Sequence, residues 1–217
     1  MKNILIIILS LIIIQCSTNK RAIYSEDKNL KFKLDTLSLF DQNRNRRIPI
    51  AIYQSKGYFV ISIQHELKTD EFLAMTGKLQ ETRKPNWERG AKNILYVLQK
   101  IKKDYPQLKY NELTLIGHSN GGDMTALFVH QYPKLVSKII SMDNRRMELP
   151  RTSNPKIFTL RSKDYPADEN VLPNNEELKK YNITVQFTNI NHSSMDNDAN
   201  ETERNYLKMK ILEYLKK

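Results

Sequence analysis

The sequence LTLIGHSNGG, residues 113–122, decides the fold, because an apolar run leads directly into a turn of small residues around one serine. The run at residues 113–116 predicts a buried strand, and residues 121–131 predict the helix that follows the turn. The turn carries the pattern G-x-S-x-G around Ser119. Its small residues suit a strained turn in which neighbouring backbones approach closely. In this strand–turn–helix setting the pattern predicts an exposed Ser119 hydroxyl beside the N–H groups of a helix N-terminus.

Strands and helices alternate regularly through the rest of the C-terminal half. Apolar runs and helical spacing predict strands at residues 136–142, 156–160 and 183–187, and helices at 176–181 and 201–215. Such alternation is typical of an α/β fold with a mostly parallel sheet and helices on both of its faces.

The N-terminal half follows a different pattern. Alternating apolar residues predict a strand at residues 30–39, and further strands follow at 48–53 and 58–63, separated by polar turns. Neighbouring strands joined by such turns form antiparallel hairpins. A polar stretch at residues 64–86 has no clear period and is predicted as a loop. Apolar residues from Trp87 to Ile101 recur at helical spacing and predict a helix that ends before Pro106.

Composition limits the possible classes of protein. The chain has 217 residues, enough for one domain, and its single cysteine excludes an intrachain disulfide framework or a Cys-rich metal site. Lys and Arg number 35 against 24 Asp and Glu, a net charge of +11. The basic residues are spread along the chain rather than interleaved with aromatic residues, so we expect a solvated surface and no nucleic-acid groove. The remaining alternative is weak attraction to an anionic membrane surface.

The N-terminus has the features of an export signal. Lys2 is followed by an apolar run at residues 4–14, which is too short to span a membrane, and then by Cys16. This pattern resembles a bacterial lipoprotein signal, although Gln15 stands where that signal usually has Gly, Ala or Ser. The resemblance implies lipidation of Cys16 and a membrane-anchored protein facing the periplasm or cell surface. An ordinary secretory peptide is the alternative. We therefore divide the chain into a signal peptide (1–16), a polar tether (17–29) and a folded domain (30–217).

The chain from about residue 35 to its end resembles the α/β-hydrolase superfamily, and within it the dienelactone-hydrolase-like and esterase-like branches. The resemblance rests on the turn at residues 117–122, on the strand-plus-acid segment at 159–164, and on a late histidine before the last helix. In that family a Ser, an acid and a His follow one another along the chain and form the catalytic triad.

The resemblance implies a role for individual residues. Of the four histidines, His192 stands in the loop after the last strand, where the family has its base, and the Asn120 backbone N–H corresponds to one donor of the oxyanion hole. Asp164 corresponds to the acid, although Arg161 stands where the family pattern G-x-x-D has Gly. Asp168 and Asp143 are the alternatives for the acid.

The resemblance also exposes a gap. The family's third strand and first helix are missing between the strands at 48–53 and 58–63, because only four residues separate these strands. We therefore expect the strand at 58–63 to pair directly with the strand at 113–116, and apolar surface near the C-terminal helix to be exposed. The missing strand normally leads into the loop that supplies the second oxyanion donor, so turnover is expected to be low. The segment 66–81 is the candidate to cover the site.

These features predict a serine hydrolase that acts on a small-molecule or lipid-like ester through Ser119, His192 and Asp164. The alternative is a catalytically weak hydrolase-fold lipoprotein that acts as a binding module. We expect no metal, because the adjacent His65 and Glu66 point apart on a strand. The sequence holds no phosphate-cradling glycine loop or dinucleotide fingerprint, so no cofactor is expected.

Overall fold

The computed structural model describes residues 3–8, 33–54 and 57–217, and for residues 3–8 it describes the backbone. Strands within these residues are β1 Asn3–Ile8, β2 Lys33–Asp41, β3 Arg46–Gln54, β4 Tyr58–Ile63, β5 Lys109–His118, β6 Lys138–Met142, β7 Lys156–Arg161 and β8 Thr184–Phe187. The helices are α1 Leu79–Thr82, α2 Lys84–Asp104, α3 Asn120–Gln131, α4 Asn175–Tyr181 and α5 Glu201–Lys216. The predicted start of the first strand, residues 30–32, and the tether lie outside the described residues.

One mixed sheet organises the chain, with the strand order β2-β3-β4-β1-β5-β6-β7-β8. The pairs β2–β3 and β3–β4 are antiparallel, and every pair from β4 to β8 is parallel. The predicted hairpin is confirmed, because Ile52 of β3 lies opposite Ile61 of β4. The α/β class with an antiparallel start and a mostly parallel remainder is likewise confirmed.

The gap in the family pattern is filled from an unexpected part of the chain. As predicted, no strand and helix separate β3 from β4 in the sequence. The expectation that β4 pairs directly with β5 is nevertheless wrong, because β1 lies between them and is parallel to both. A strand in the middle of a parallel sheet is apolar on both faces and reads as a continuous hydrophobic run. The apolar core of a signal peptide has the same pattern, so residues 3–8 satisfy both requirements.

Helices cover both faces of the sheet. The helices α2 and α3 pack on one face, where Trp87, Ile94 and Phe128 are buried with the inner side chains of β3 to β6. Helix α5 packs on the other face, where Leu207 and Tyr214 meet side chains of β5, β6 and β7. Asn200 starts α5 with a reciprocal capping box: its side chain accepts the Glu203 N–H, and the Glu203 carboxylate accepts the Asn200 N–H. No helix in residues 33–54 or 57–217 is long and apolar enough to cross a membrane.

The exposed apolar surface expected near the C-terminal helix is present. Met209 and Leu212 on α5 are 53% and 41% exposed. In the family, the first helix packs on this face of the sheet, and the described residues contain no corresponding helix.

His65 follows β4 and is buried with neither ring nitrogen hydrogen-bonded. Burial, reinforced by the charges of Arg46 and Arg89, lowers the pKa of His65 to about 3. Between about pH 6.5 and 3 the unfolded chain therefore holds a proton that the folded chain does not. As the pH is lowered through this window, the free energy of unfolding should decrease by up to about 1.4 kcal/mol per pH unit because of this residue.

We expect His65→Leu to reduce the pH dependence of stability in that window, measured by urea unfolding at about pH 7, 6 and 5. The exposed His130→Gln is the control and should keep the wild-type slope. Equal slopes in all three proteins would contradict this account of His65.

Candidate active site

The turn around Ser119 has the strained geometry that its sequence predicts. Ser119 has φ 52°, in the left-handed region that a residue with a side chain rarely adopts. A Cβ added at Gly117 would lie 2.3 Å from the carbonyl oxygen of Gly121, so only glycine fits there. The Ser119 N–H donates to the Met142 carbonyl at 2.8 Å, which ties the turn to the end of β6. The turn thus holds the Ser119 side chain at the carboxyl ends of the parallel strands.

Three side chains from separate parts of the sequence form a continuous hydrogen-bonded chain. The Ser119 Oγ lies 2.9 Å from Nε2 of His192, and Nδ1 of His192 lies 2.5 Å from Oδ2 of Asp143. With Nδ1–H donating to the carboxylate, Nε2 is the nitrogen that accepts the serine proton. The arrangement can deprotonate a serine hydroxyl and stabilise the imidazolium that results.

The carboxylate that contacts the ring of His192 is that of Asp143, whereas the sequence analysis expected Asp164 in this place. Asp143 follows β6, one strand before the expected place, and it is fully buried with φ 58°. Asp164 instead accepts the backbone N–H of His192 at 2.7 Å, so it contacts the histidine without reaching its ring. The backbone N–H of Asp168 donates to the carbonyl of Arg145. Of the three candidates for the acid, Asp143 is the one whose carboxylate lies against the ring of His192.

Arg161 accounts for the displaced acid. Its guanidinium is 2% exposed and lies 3.0 Å from Oδ1 of Asp143. Burial alone would raise the pKa of Asp143, but the hydrogen bond from His192 and the charge of Arg161 outweigh it and lower the pKa below its usual value. The Ser162 N–H adds a further donor to Oδ1 at 3.0 Å. The residue that departs from the family's glycine is therefore the counter-ion that keeps Asp143 ionised.

The imidazole of His192 contacts two other rings. Tyr165 stacks on it, with ring centroids 5.0 Å apart and planes inclined by 20°. The ring of His118 is tilted by 40° to it, with centroids 4.9 Å apart. His118 also contacts the His192 carbonyl through Nε2 at 3.1 Å. Burial, together with the nearby His192, lowers the pKa of His118, which favours its neutral form. These contacts restrict the ring of His192 to one orientation.

A polar network that the sequence analysis missed fixes the residue after Ser119. The side chain of Asn120 accepts from Trp87 Nε1 at 2.7 Å and donates to Asn86 at 2.8 Å. Asn86 in turn donates to Glu66 at 2.6 Å. Helix α2 and the loop after β4 thus orient the first residue of α3. The sequence analysis had assigned Glu66 and Asn86 to a loop and gave them no role.

The Asn120 N–H is among the first N–H groups of α3, which have no partner within the helix, so it can bind an oxyanion. The family's second donor comes from the loop that follows the strand in the position of β1. Here the residues that follow β1 lie outside the described part of the chain. The expected weakness of the oxyanion hole therefore stays a prediction.

Asp123 holds the loop that follows Asp143. Its Oδ1 accepts three backbone N–H groups at 2.9 to 3.2 Å, those of Arg145, Arg146 and Met147. Burial raises the pKa of Asp123 to about 6 in spite of these donors. This carboxylate lies one helical turn after Ser119, so α3 positions both Ser119 and the loop that follows Asp143.

The segment 66–81 is anchored beside the hairpin and α2. Asp70 pairs with Arg46 at 2.6 Å, and the Ala74 carbonyl accepts from Arg83 at 2.8 Å. Its covering of the site stays a prediction. In residues 33–54 and 57–217 no group of three or more His, Cys, Asp or Glu side chains could hold a metal ion.

No protein-family model matches the sequence, and no curated protein matches it. Solved structures match its fold. The chain is similar to a carboxyl esterase 2 from the fungus Tuber melanosporum (TM-score 0.60, 10% identity, 89% of each chain covered). It is also similar to an S-formylglutathione hydrolase from Agrobacterium tumefaciens (0.59, 10%, 90% of this chain and 99% of that chain). A CIB-like hydrolase from Thermoplasma acidophilum matches as well, with a TM-score of 0.56 and 13% identity over 86% of this chain and 100% of that chain.

These structural neighbours are hydrolases and esterases, and at such identities the likeness concerns the fold. Together with the strand order and the serine turn, it establishes that this chain has the α/β-hydrolase fold.

Proposed function

We propose that this protein is a serine hydrolase that cleaves a carboxylic ester or a related acyl bond. The observation that carries the proposal is the unbroken chain of contacts from Ser119 through His192 to the buried Asp143. A serine, an imidazole and a carboxylate in this order form an activated nucleophile, whatever fold carries them. The names of the structural neighbours agree with this class, and fold by itself does not select a substrate.

The reaction would proceed in two halves. His192 Nε2 removes the Ser119 proton as Oγ attacks the acyl carbon, and the Asn120 N–H stabilises the oxyanion. His192 then gives the proton to the departing alkoxide, which leaves an acyl-serine. In the second half His192 deprotonates water, which attacks the acyl-serine. The bond between the acyl carbon and Ser119 Oγ then breaks, His192 returns the proton to Oγ, and the carboxylic acid is released. Asp143 stabilises the imidazolium in both halves.

A fluorophosphonate probe tests the proposal, because it phosphonylates a serine only when that serine is activated. We expect the wild-type protein to gain one phosphonyl group, detected by intact mass, and Ser119→Ala to gain none. The exposed Ser38→Ala should react like the wild type. A folded wild-type protein that stays unlabelled would overturn the hydrolase and favour the binding module.

We further propose that the protein is exported and anchored to a membrane through a lipid on Cys16. The proposal is supported by the order of Lys2, the apolar run at residues 4–14 and Cys16. Cleavage before Cys16 would remove β1, so the strand and the signal peptide are alternative fates of residues 3–8. The position between β4 and β5 would then lack β1 in the mature form.

We expect Cys16→Ser to shift the protein from the membrane fraction to the soluble fraction, followed by immunoblotting of fractionated cells. A single acyl chain binds a membrane only weakly, whereas two acyl chains, or one together with a basic patch, hold a protein there. Loss of the lipidated cysteine should therefore remove most of the membrane binding. Recovery of a peptide that contains residues 3–8 from the purified protein would show that β1 is retained and would overturn the lipoprotein proposal.

A further inference from the structure

Helix α5 has an outer stripe in which apolar and basic residues alternate. Met209 and Leu212 lie on this stripe, and Lys208 and Lys216 lie beside them, at the spacing that brings side chains to one side of a helix. Leu207 and Tyr214 point the other way and are buried. The stripe therefore faces away from the sheet.

Positive charge dominates the C-terminal half of α5. Lys210 and Lys217 share a single carboxylate, Glu213, at 3.1 and 2.9 Å. Lys208 and Lys216 have no carboxylate within ion-pair distance in the described part of the chain. The two acidic residues of the first turn, Glu201 and Glu203, lie at the opposite end of the helix.

Two more lysines join this end of α5 from the sheet. Lys138 donates to the carbonyls of Tyr214 and Leu215, each at 2.9 Å, and Lys156 donates to the carbonyl of Lys217. Cations stabilise the C-terminal carbonyls of a helix. Lys138 and Lys156 are the first residues of β6 and β7, so this basic surface lies at the amino edge of the sheet. Ser119 lies at the carboxyl edge.

The chain enters the folded domain at the same edge. Lys33, the first residue of β2, pairs with Gln54, and Gln54 pairs with Phe59 near the start of β4. The stretch that precedes Lys33 therefore joins the amino edge of the sheet.

We propose that this surface, defined by Lys208, Met209, Leu212 and Lys216 with Lys138 and Lys156, docks on a bilayer that contains anionic phospholipids. Met209 and Leu212 would enter the interface between headgroups and acyl chains, and the lysines would contact the headgroup phosphates. Charge complementarity selects this occupant. Two exposed apolar side chains are too few for the core of a stable dimer interface, which needs roughly 800 Å² on each partner.

The orientation has a functional consequence. Lys138 and Lys156 lie at the amino edge of the sheet and Ser119 lies at the carboxyl edge, so docking through this surface would leave Ser119 uncovered, and substrate could reach it from the aqueous phase. The proposal itself does not depend on catalysis, because none of its residues lies in the serine–histidine–aspartate chain.

Sedimentation with vesicles tests the docking surface. Full-length protein is mixed with vesicles of phosphatidylcholine alone or of equal phosphatidylcholine and phosphatidylglycerol. We expect salt-sensitive binding to the anionic vesicles, with a dissociation constant that rises about tenfold or more in Lys208→Gln/Lys216→Gln. Met209→Ser/Leu212→Ser should weaken binding in the same direction. The control Lys84→Gln/Lys92→Gln removes equal charge from α2, on the other face of the sheet, and should bind like the wild type.

The named positions are exposed, so circular dichroism melting should show that every variant folds. Binding that is equal for both kinds of vesicle, or equal in the α5 and α2 variants, would overturn the proposal. A wild-type dimer in light scattering that Met209→Ser/Leu212→Ser dissociates would assign the surface to a second copy of the chain and would overturn it as well. Neither result would affect the labelling of Ser119.

Discussion

Ser119→Ala should lower kcat/KM for a simple aryl ester by a factor on the order of 10⁴ to 10⁶ relative to the wild type. The substitution removes the atom that forms the acyl intermediate and leaves only the oxyanion donor and substrate binding to assist water. The hydroxyl is hydrogen-bonded to His192 and Ser119 is only half-buried, so the melting temperature should stay close to that of the wild type. Initial-rate kinetics and a melting curve on the same preparation provide the measurement.

Ser38→Ala on the exposed side of β2 is the matched control and should keep wild-type kinetics. Unchanged turnover in Ser119→Ala would eliminate the proposed nucleophile. A large drop in melting temperature would instead show that the serine supports the fold, and the loss of activity would then carry no information about mechanism.

Asp143→Asn should lower kcat by a factor on the order of 10⁴, with a much smaller change in KM. The amide keeps the size of the carboxylate but removes the charge that stabilises the His192 imidazolium and selects its tautomer. It also leaves the buried guanidinium of Arg161 without its counter-ion, so some loss of stability is expected. Kinetics and urea unfolding of the same variant separate the two effects.

Asp164→Asn is the informative comparison. The side-chain oxygen of the asparagine can still accept the His192 backbone N–H, so kcat should stay within about tenfold of the wild-type value. A larger loss in Asp164→Asn than in Asp143→Asn would return the role of the acid to Asp164.

The sequence by itself determined the features that are local. The turn around Ser119 could be predicted because a strained strand-to-helix connection demands small residues at fixed spacing, and those residues are adjacent in the chain. The hairpin of β3 and β4 and the helix α2 followed from alternation and helical spacing in the same way. His192 could be placed near Ser119 because it stands in the loop after the last strand, where the α/β-hydrolases that the sequence resembles have their base.

Tertiary structure alone decided the features that depend on which strands become neighbours. Asp143 and Asp164 both follow parallel strands, and only the side-chain geometry at the edge of the sheet shows that one reaches the ring of His192 and the other its backbone. Arg161 looked like a departure from a pattern, whereas its ion pair with Asp143 exists only when β6 and β7 lie side by side. Likewise, an apolar run at residues 3–8 is compatible with a signal peptide or a central strand, because burial in a bilayer and burial in a sheet select the same residue types. Pairing with β4 and β5 is a property of the folded sheet, and no local pattern encodes it.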